Sequence, residues 1–136
     1  MGPAHFVGVL ETTLYHEGRD REAIERFYGE VLGLPAVAGW EDGIAFRIGA
    51  GVLLVFDRGR LAQRHGVIAE HGTSGPGHVC LLTGSGEYER WREHLRARGV
   101  EIVHDHDWGG GRSFYFKDPA GNLLEIADCD IWPQAR

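Results

Sequence analysis

The sequence of 136 residues has little of what marks nucleic-acid-binding, membrane-spanning or exported proteins. Its formal net charge of −6 leaves no excess of Lys and Arg, so we expect neither nucleic acid nor a membrane surface as a partner. No apolar run approaches the roughly 20 residues that cross a bilayer. Residues 1–10 lack the basic start and long apolar stretch of a signal peptide, so we expect a soluble, cytoplasmic protein.

Cysteine is also scarce, since only Cys80 and Cys129 occur. Two thiols this far apart make no disulfide framework, and a cytoplasmic chain would keep them reduced. They also lack the close C-x-x-C spacing of a structural zinc site. Hydrophobic residues make up 43% of the chain, which is enough for the core of one compact domain.

The apolar pattern predicts one unit twice: a strand, a helix and three strands. The first helix carries an apolar stripe that ends at Gly33, and the second helix, over residues 87–98, ends at Gly99. The first stripe consists of Ile24, Phe27, Tyr28, Val31 and Leu32. The predicted strands are 9–15, 36–40, 44–48 and 52–56 in the first unit, and 78–82, 100–103, 113–117 and 122–126 in the second.

The two units form a duplication inside a single domain over residues 1–136, because a solenoid would need at least three repeats. Module one covers about 5–57 and module two about 78–127. The connector 58–77 is interpreted as a linker or active-site loop, and 128–136 as a surface tail. We therefore expect an α+β fold in which two βαβββ modules form a cupped, partly open mixed β-sheet barrel with helices outside.

Three stretches carry a resemblance to a known superfamily. The stretch ETTLYHEGRDREAIERFYGEVLGL resembles the first module of the vicinal oxygen chelate superfamily, the glyoxalase, bleomycin-resistance and extradiol-dioxygenase group. The stretches HGTSGPGHVCLL and GGRSFYFKDPAGNLLEI resemble the first and last strands of its second module. The pair FYGEVLGL and DPAGNLLE is specific for the superfamily, whereas the reaction stays open, because this scaffold supports several chemistries.

The resemblance implies a metal site built from Glu11, His78 and Glu125. Val55 stands where a fourth ligand can occur, which favours a three-ligand site with open positions, as in the dioxygenase and fosfomycin-resistance branches. Two carboxylates and one imidazole suit a divalent transition metal, either Fe, Mn, Ni, Co or Zn. Open positions would let a substrate chelate the metal through vicinal oxygens.

Strand parity agrees with this assignment. Glu11 alternates with apolar residues on its strand, and so do His78 and Glu125 on theirs, which places each candidate ligand opposite a row that can pack under a helix. A metal would account for both carboxylates, since a buried Glu without a partner is costly. Glu11 stands where many relatives have His or Gln, so a metal-free protein stays open, with Arg19 or Arg112 neutralising the carboxylates.

Further residues are candidates for catalysis or for the substrate pocket. Tyr115 stands near the position of a tyrosine that extradiol dioxygenases use, so with Glu11 it is a candidate catalytic residue. His104 and His106 precede a glycine run that we interpret as a flexible lid, and His106 is a candidate proton shuttle. The candidate pocket residues are Thr13, Tyr15, Val55, Cys80 and Trp108.

The leading hypothesis is a metal-dependent enzyme of the glyoxalase or extradiol-dioxygenase type that acts on a small oxygenated molecule. The alternative is a metal-free protein that binds and sequesters an antibiotic or a metabolite, as in the bleomycin-resistance branch. A third interpretation is a thiol transferase that confers antibiotic resistance. The resemblance also implies a homodimer, in which Glu11 shares a site with His78 of its own chain or of a second copy.

Overall fold

The computed structural model describes residues 4–18, 21–64, 66 and 68–133. The first module contains β1 (Glu11–His16), α1 (Arg21–Arg26) with a π-helical turn (Phe27–Val31), β2 (Ala36–Trp40), β3 (Gly43–Ile48) and β4 (Gly51–Asp57). The connector holds α2 (Arg58–Ala62). The second module contains β5 (His78–Leu82), α3 (Tyr88–Ala97), β6 (Ile102–Asp107), β7 (Arg112–Lys117) and β8 (Leu123–Ala127). None of the described helices is long and apolar enough to cross a membrane.

The strands form two four-stranded sheets of the same topology. Sheet one has the order β1-β4-β3-β2, and sheet two has the order β5-β8-β7-β6. In each sheet the first strand of the module pairs in parallel with the last, because the helix and the two middle strands carry the chain back to the starting edge. The predicted duplication and the partly open, cupped α+β architecture are confirmed.

The first helix shows how the sequence produces these elements. The predicted stripe is buried at Ile24, Phe27, Tyr28 and Leu32, while Val31 packs against its margin. Gly33 follows with φ +69°, a left-handed conformation that glycine adopts without steric cost, and it ends the helix.

One face of each sheet packs into a single core that both modules share. Phe27 from the first module lies 6.2 Å from Phe116 of the second, measured between ring centroids. Burying each such side chain contributes about 1.5–3 kcal/mol, so the modules stabilise one another. The buried members of this shared core are Leu14, Ile24, Phe27, Tyr28, Leu32, Ile44, Phe46, Leu53, Val55, Tyr88, Leu95, Phe114, Phe116, Leu124 and Ile126.

Three buried polar side chains link the two modules through hydrogen bonds. We call Tyr28, Asp118 and Asn122 the polar junction. The Tyr28 hydroxyl donates to Asp118 Oδ2 at 2.7 Å, and Asn122 Nδ2 donates to the same oxygen at 2.9 Å. The Asn122 amide also donates to the carbonyl of Tyr15 and accepts from the Gly77 amide. Burial and the Asp118 carboxylate raise the pKa of Tyr28, which keeps the phenol a donor.

The structure differs from the sequence prediction at two places. The strand predicted at 100–103 stops before His104 and His106, whereas both histidines belong to β6, an edge strand that runs over Ile102–Asp107. An edge strand is exposed enough to carry polar side chains, so its apolar pattern is weak. The connector contains the short helix α2, which the sequence did not predict, and Asp57 caps it by accepting from the Arg60 amide at 3.2 Å.

We expect Tyr28→Phe to lower the free energy of unfolding by about 1–3 kcal/mol, because a donor to a buried carboxylate is lost while the packing volume stays nearly constant. Denaturant unfolding at one fixed protein concentration measures the change. Tyr115→Phe removes the same hydroxyl outside the shared core and should change stability by less than about 0.5 kcal/mol. Equal effects of the two substitutions would contradict the importance of the polar junction.

Candidate functional site

Each sheet has a second face that turns away from the shared core, here called its open face, and the three predicted metal ligands are divided between the two open faces. Leu14 packs into the shared core, so Glu11, Thr13 and Tyr15 lie on the open face of sheet one. On sheet two, Phe114, Phe116, Leu124 and Ile126 fill the core, which leaves Tyr115 and Glu125 on the open face.

A row of functional side chains crosses the open face of sheet two. The strand register places Cys80 opposite Glu125, Glu125 opposite Tyr115, and Tyr115 opposite His104. A bulge between Ile102 and His104 turns His104 to this face, although Ile102 packs against the core. His78 lies two residues before Cys80 on the same face, so the row gathers imidazole, thiol, carboxylate and phenol.

His78 and Glu125 are in direct contact on this face. His78 Nε2 lies 3.2 Å from Glu125 Oε1, and His78 Nδ1 lies 2.9 Å from the carbonyl oxygen of Leu123. The Glu125 side chain is buried, and its second oxygen, Oε2, has no hydrogen-bond partner among the described residues. A buried carboxylate oxygen without a partner is costly, so a cation bound at this site would be stabilising.

The Leu123 carbonyl determines what His78 can do. A carbonyl oxygen only accepts, so Nδ1 carries the proton, and in a neutral ring Nε2 then presents a lone pair toward Glu125. Two acceptors 3.2 Å apart repel unless His78 is an imidazolium or a cation binds both. A histidine held through its other nitrogen by a carbonyl is the usual arrangement of a metal ligand, so the pair suits a divalent metal.

The Glu125 carboxylate contributes to raised pKa values of two neighbouring side chains, Cys80 and Tyr115. Burial and then the charge of Glu125 raise the pKa of the Cys80 thiol to about 11. Burial also raises the pKa of Tyr115, and Glu125 adds to the increase while Ser113 opposes it. Both groups therefore keep their protons at neutral pH, so the thiol is a poor nucleophile and the phenol is a donor.

Glu11 lies apart from this pair, on the other sheet. It lines a cavity of about 470 Å³ over sheet one, together with Thr13 and Leu54 and roofed by connector residues that include His71. Among the residues that the structure describes, no three His, Cys, Asp or Glu side chains are gathered closely enough to hold a metal. Within one chain the structure therefore brings His78 and Glu125 together but does not bring Glu11 to them.

The prediction that Val55 lies in the pocket, at a vacant fourth ligand position, is wrong. Its side chain is completely buried in the shared core, on the opposite face from Glu11. The register instead pairs Thr13 with Leu54, just as it pairs Cys80 with Glu125, so Leu54 is the counterpart of Glu125 in sheet one. Leucine is no ligand either, so this position is still without a metal-binding group.

Comparison with known proteins agrees with this architecture. Residues 18–126 match the model of the Glyoxalase/Bleomycin resistance protein/Dioxygenase superfamily. The chain belongs to this superfamily. The structure of lactoylglutathione lyase from Agrobacterium tumefaciens is similar at 32% identity and a TM-score of 0.86, over 94% of this chain and 98% of that one.

Two further structures share the superfamily fold at lower identity. An integron cassette protein from the mobile metagenome of V. cholerae is 24% identical with a TM-score of 0.72, over 93% of this chain and 98% of that one. A glyoxalase/dioxygenase from Nostoc punctiforme is 19% identical with a TM-score of 0.68, over 93% of this chain and 94% of that one. These likenesses establish the fold.

The histidines of β6 lie at the margin of the open face of this superfamily domain. His104 Nε2 is 3.4 Å from His106 Nδ1, and the ring of His106 lies 4.3 Å from that of Trp108 between centroids. Trp108 Nε1 donates to the Ser113 hydroxyl at 2.9 Å, which fixes the indole beside the sheet. His106 and Trp108 are both exposed, so they border the row rather than occupy its centre.

The sequence interpretation did not single out His71 as a site residue. The Tyr15 hydroxyl is hydrogen-bonded to His71 Nδ1, and the imidazole stands edge-on to the Phe56 ring. The only signal was its place in the polar tract before β5. Of the arginines considered as counter-charges, Arg19 lies outside the described residues, and Arg112 pairs with Glu89 and Asp128 rather than with a predicted ligand.

The raised pKa of Cys80 predicts slow alkylation. In a Cys129→Ser background the rate with iodoacetamide should still rise at about pH 10, whereas an ordinary thiol levels off above a pKa of about 8.5. Glu125→Gln removes the second cause of the shift and should move the profile to lower pH. Mass spectrometry of the alkylated chain measures the rate. A profile that levels off at the ordinary thiol value would contradict this environment for Cys80.

Proposed function

We propose that this protein is a metal-dependent enzyme of the glyoxalase or extradiol-dioxygenase type, which acts on a small oxygenated molecule that chelates a divalent metal. The observation that carries the proposal is the pair His78 and Glu125, in which Nε2 lies 3.2 Å from one oxygen of a buried carboxylate whose other oxygen has no hydrogen-bond partner among the described residues. The metal would be Fe, Mn, Ni, Co or Zn, since all five accept one imidazole nitrogen and carboxylate oxygens.

We propose that the third ligand, Glu11, comes from a second copy of the chain in a homodimer. Both open faces bear site residues, and the imidazole of His78 keeps 47% of its side-chain surface exposed although it contacts a buried carboxylate. If sheet one of a second copy covered sheet two, its Glu11 would approach His78 and Glu125 and remove them from water. A cytoplasmic location would keep the separate thiols Cys80 and Cys129 reduced.

The side chains around the pair have separate tasks in this proposal. A bound divalent metal would supply a Lewis acid that polarises two neighbouring oxygens of the substrate. Tyr115, which keeps its proton, would donate a hydrogen bond to a substrate oxygen beside Glu125. His106 would carry protons between the margin of the sheet and solvent, and Glu11 would add a carboxylate. Thr13, Tyr15, Cys80 and Trp108 would line the substrate pocket.

The alternative is a metal-free protein that binds and sequesters an antibiotic or a metabolite. The cavity over sheet one favours it, because aromatic and aliphatic side chains line much of that cavity and the described residues of one chain gather no complete ligand set. Metal content separates this alternative from the enzyme.

Protein purified without a tag or chelator should contain close to one divalent metal ion per chain, measured by inductively coupled plasma mass spectrometry. Glu125→Ala should lose the metal with little change in the circular dichroism spectrum, because the carboxylate lies outside the shared core. Glu101→Ala, a change of an exposed glutamate before β6, is the matched control and should retain it. A wild-type protein that takes up none of the five metals would exclude the enzyme.

A shared site predicts complementation between two defective chains. Glu11→Ala and Glu125→Ala homodimers should each lose metal, whereas a heterodimer isolated with two different tags should regain one complete site. That site would combine Glu11 from one chain with His78 and Glu125 from the other. Metal analysis of the isolated heterodimer, with light scattering to verify its mass, makes the measurement. A monomer, or a heterodimer without metal, would show that Glu11 is not supplied by a second copy.

A further inference from the structure

Three aromatic side chains stand in one cross-strand row on the open face of sheet one. The register pairs Tyr15 with Phe56, Phe56 with Gly43, and Gly43 with Trp40, so the row crosses all four strands. The rings of Trp40 and Phe56 are nearly parallel, 16° apart with centroids 6.4 Å apart, and those of Tyr15 and Phe56 are 29° and 6.5 Å apart. We call these three rings the ring platform.

Gly43 is what lets the ring platform form. A Cβ atom at this position would meet the Phe56 ring at 2.5 Å from Cδ1 and 2.7 Å from Cε1, closer than real side chains approach. Because Gly43 has no side chain, the Phe56 ring can lie flat across β3 between Tyr15 and Trp40. Any other residue would push the ring out of the row.

The ring platform is not a requirement of the fold, because the second module has the same topology without it. The corresponding row of sheet two contains Leu82, Ala127, Ser113 and His106, in the order β5, β8, β7 and β6. Sheet two therefore folds with two small residues in the middle of this row. The three aromatic rings are a property of module one alone.

Connector residues stand opposite the ring platform and form the second wall of a slot. Leu61, Ile68 and His71 line the same cavity of about 470 Å³ as Trp40 and Phe56, a size that suits a small molecule. The connector is anchored where it leaves β4, because Arg58 bonds Glu17 through two nitrogens at 2.9 and 3.2 Å. Trp40 keeps 47% of its surface exposed at the mouth of the slot.

From this geometry we propose that the slot binds a planar aromatic ring, which stacks on Trp40 and the edge of Phe56. Aromatic rings favour parallel, offset contact with one another. The rings of Trp40 and Phe56 both line the slot and lie only 16° from parallel, so together they match a fused bicyclic system better than an aliphatic chain. That the ring belongs to the substrate rests on the proposed function, since Glu11 lines the same cavity. The binding of the ring itself needs no metal.

Equilibrium dialysis of metal-free, EDTA-treated protein tests this proposal with 2-naphthol, a flat bicyclic probe whose single oxygen does not chelate. The matched probe 2-decalol has the same skeleton without aromatic rings and should bind at least about tenfold more weakly. Trp40→Ala should weaken 2-naphthol binding by a similar factor. Trp132→Ala, which removes an exposed tryptophan of the tail, should leave it unchanged.

Gly43→Ala is the second variant, because its added Cβ displaces the Phe56 ring without removing any aromatic group. It should weaken 2-naphthol binding while circular dichroism shows a folded protein. Binding of 2-naphthol no tighter than that of 2-decalol, or an unchanged affinity in Trp40→Ala, would overturn the proposal. Either result would leave metal uptake by His78 and Glu125 unaffected, so this failure is distinct from a failure of the proposed function.

Discussion

Both modules bury one face of their sheet in a single shared core, and the other features of the molecule depend on this arrangement. The alternation of side chains along each strand then sends every second residue to an open face, where Glu11, His78 and Glu125 lie. The polar junction of Tyr28, Asp118 and Asn122 links the two modules through buried hydrogen bonds beside the core. Packing and chemistry are thus separated by the pleat of the strands.

The duplication has produced two open faces with different properties. On sheet two, the central row contains Cys80, Glu125, Tyr115 and His104, which are groups that bind or move protons and metals. The matching row of sheet one contains Thr13, Leu54, Ala45 and Ala38, so that face offers volume and apolar surface instead. One face therefore presents a row of ionisable side chains, and the other presents a cavity lined largely by apolar ones.

Much of the architecture followed from periodicity. The strands β2 and β5 coincide with their predicted ranges, and the buried stripe of α1 is the predicted one, because residues that pack against a core repeat at the period of their element. The predicted bounds were wrong for β6, which continues past 103 to Asp107, because an exposed edge strand lacks an apolar face there. The helix α2 was not predicted, because five residues are too few for a periodic signal.

From the sequence alone came the duplicated unit and the resemblance to the superfamily, because periodicity and motifs are local properties. The grouping of His78 with Glu125 was implied by that resemblance, and strand parity agreed with it. Only the tertiary structure decided that Glu11 lies on a different sheet from this pair, that Val55 faces the core while Leu54 stands on the open face, and that His71 covers Phe56. These facts depend on the register between strands and on how two sheets pack, which distant parts of the chain determine together.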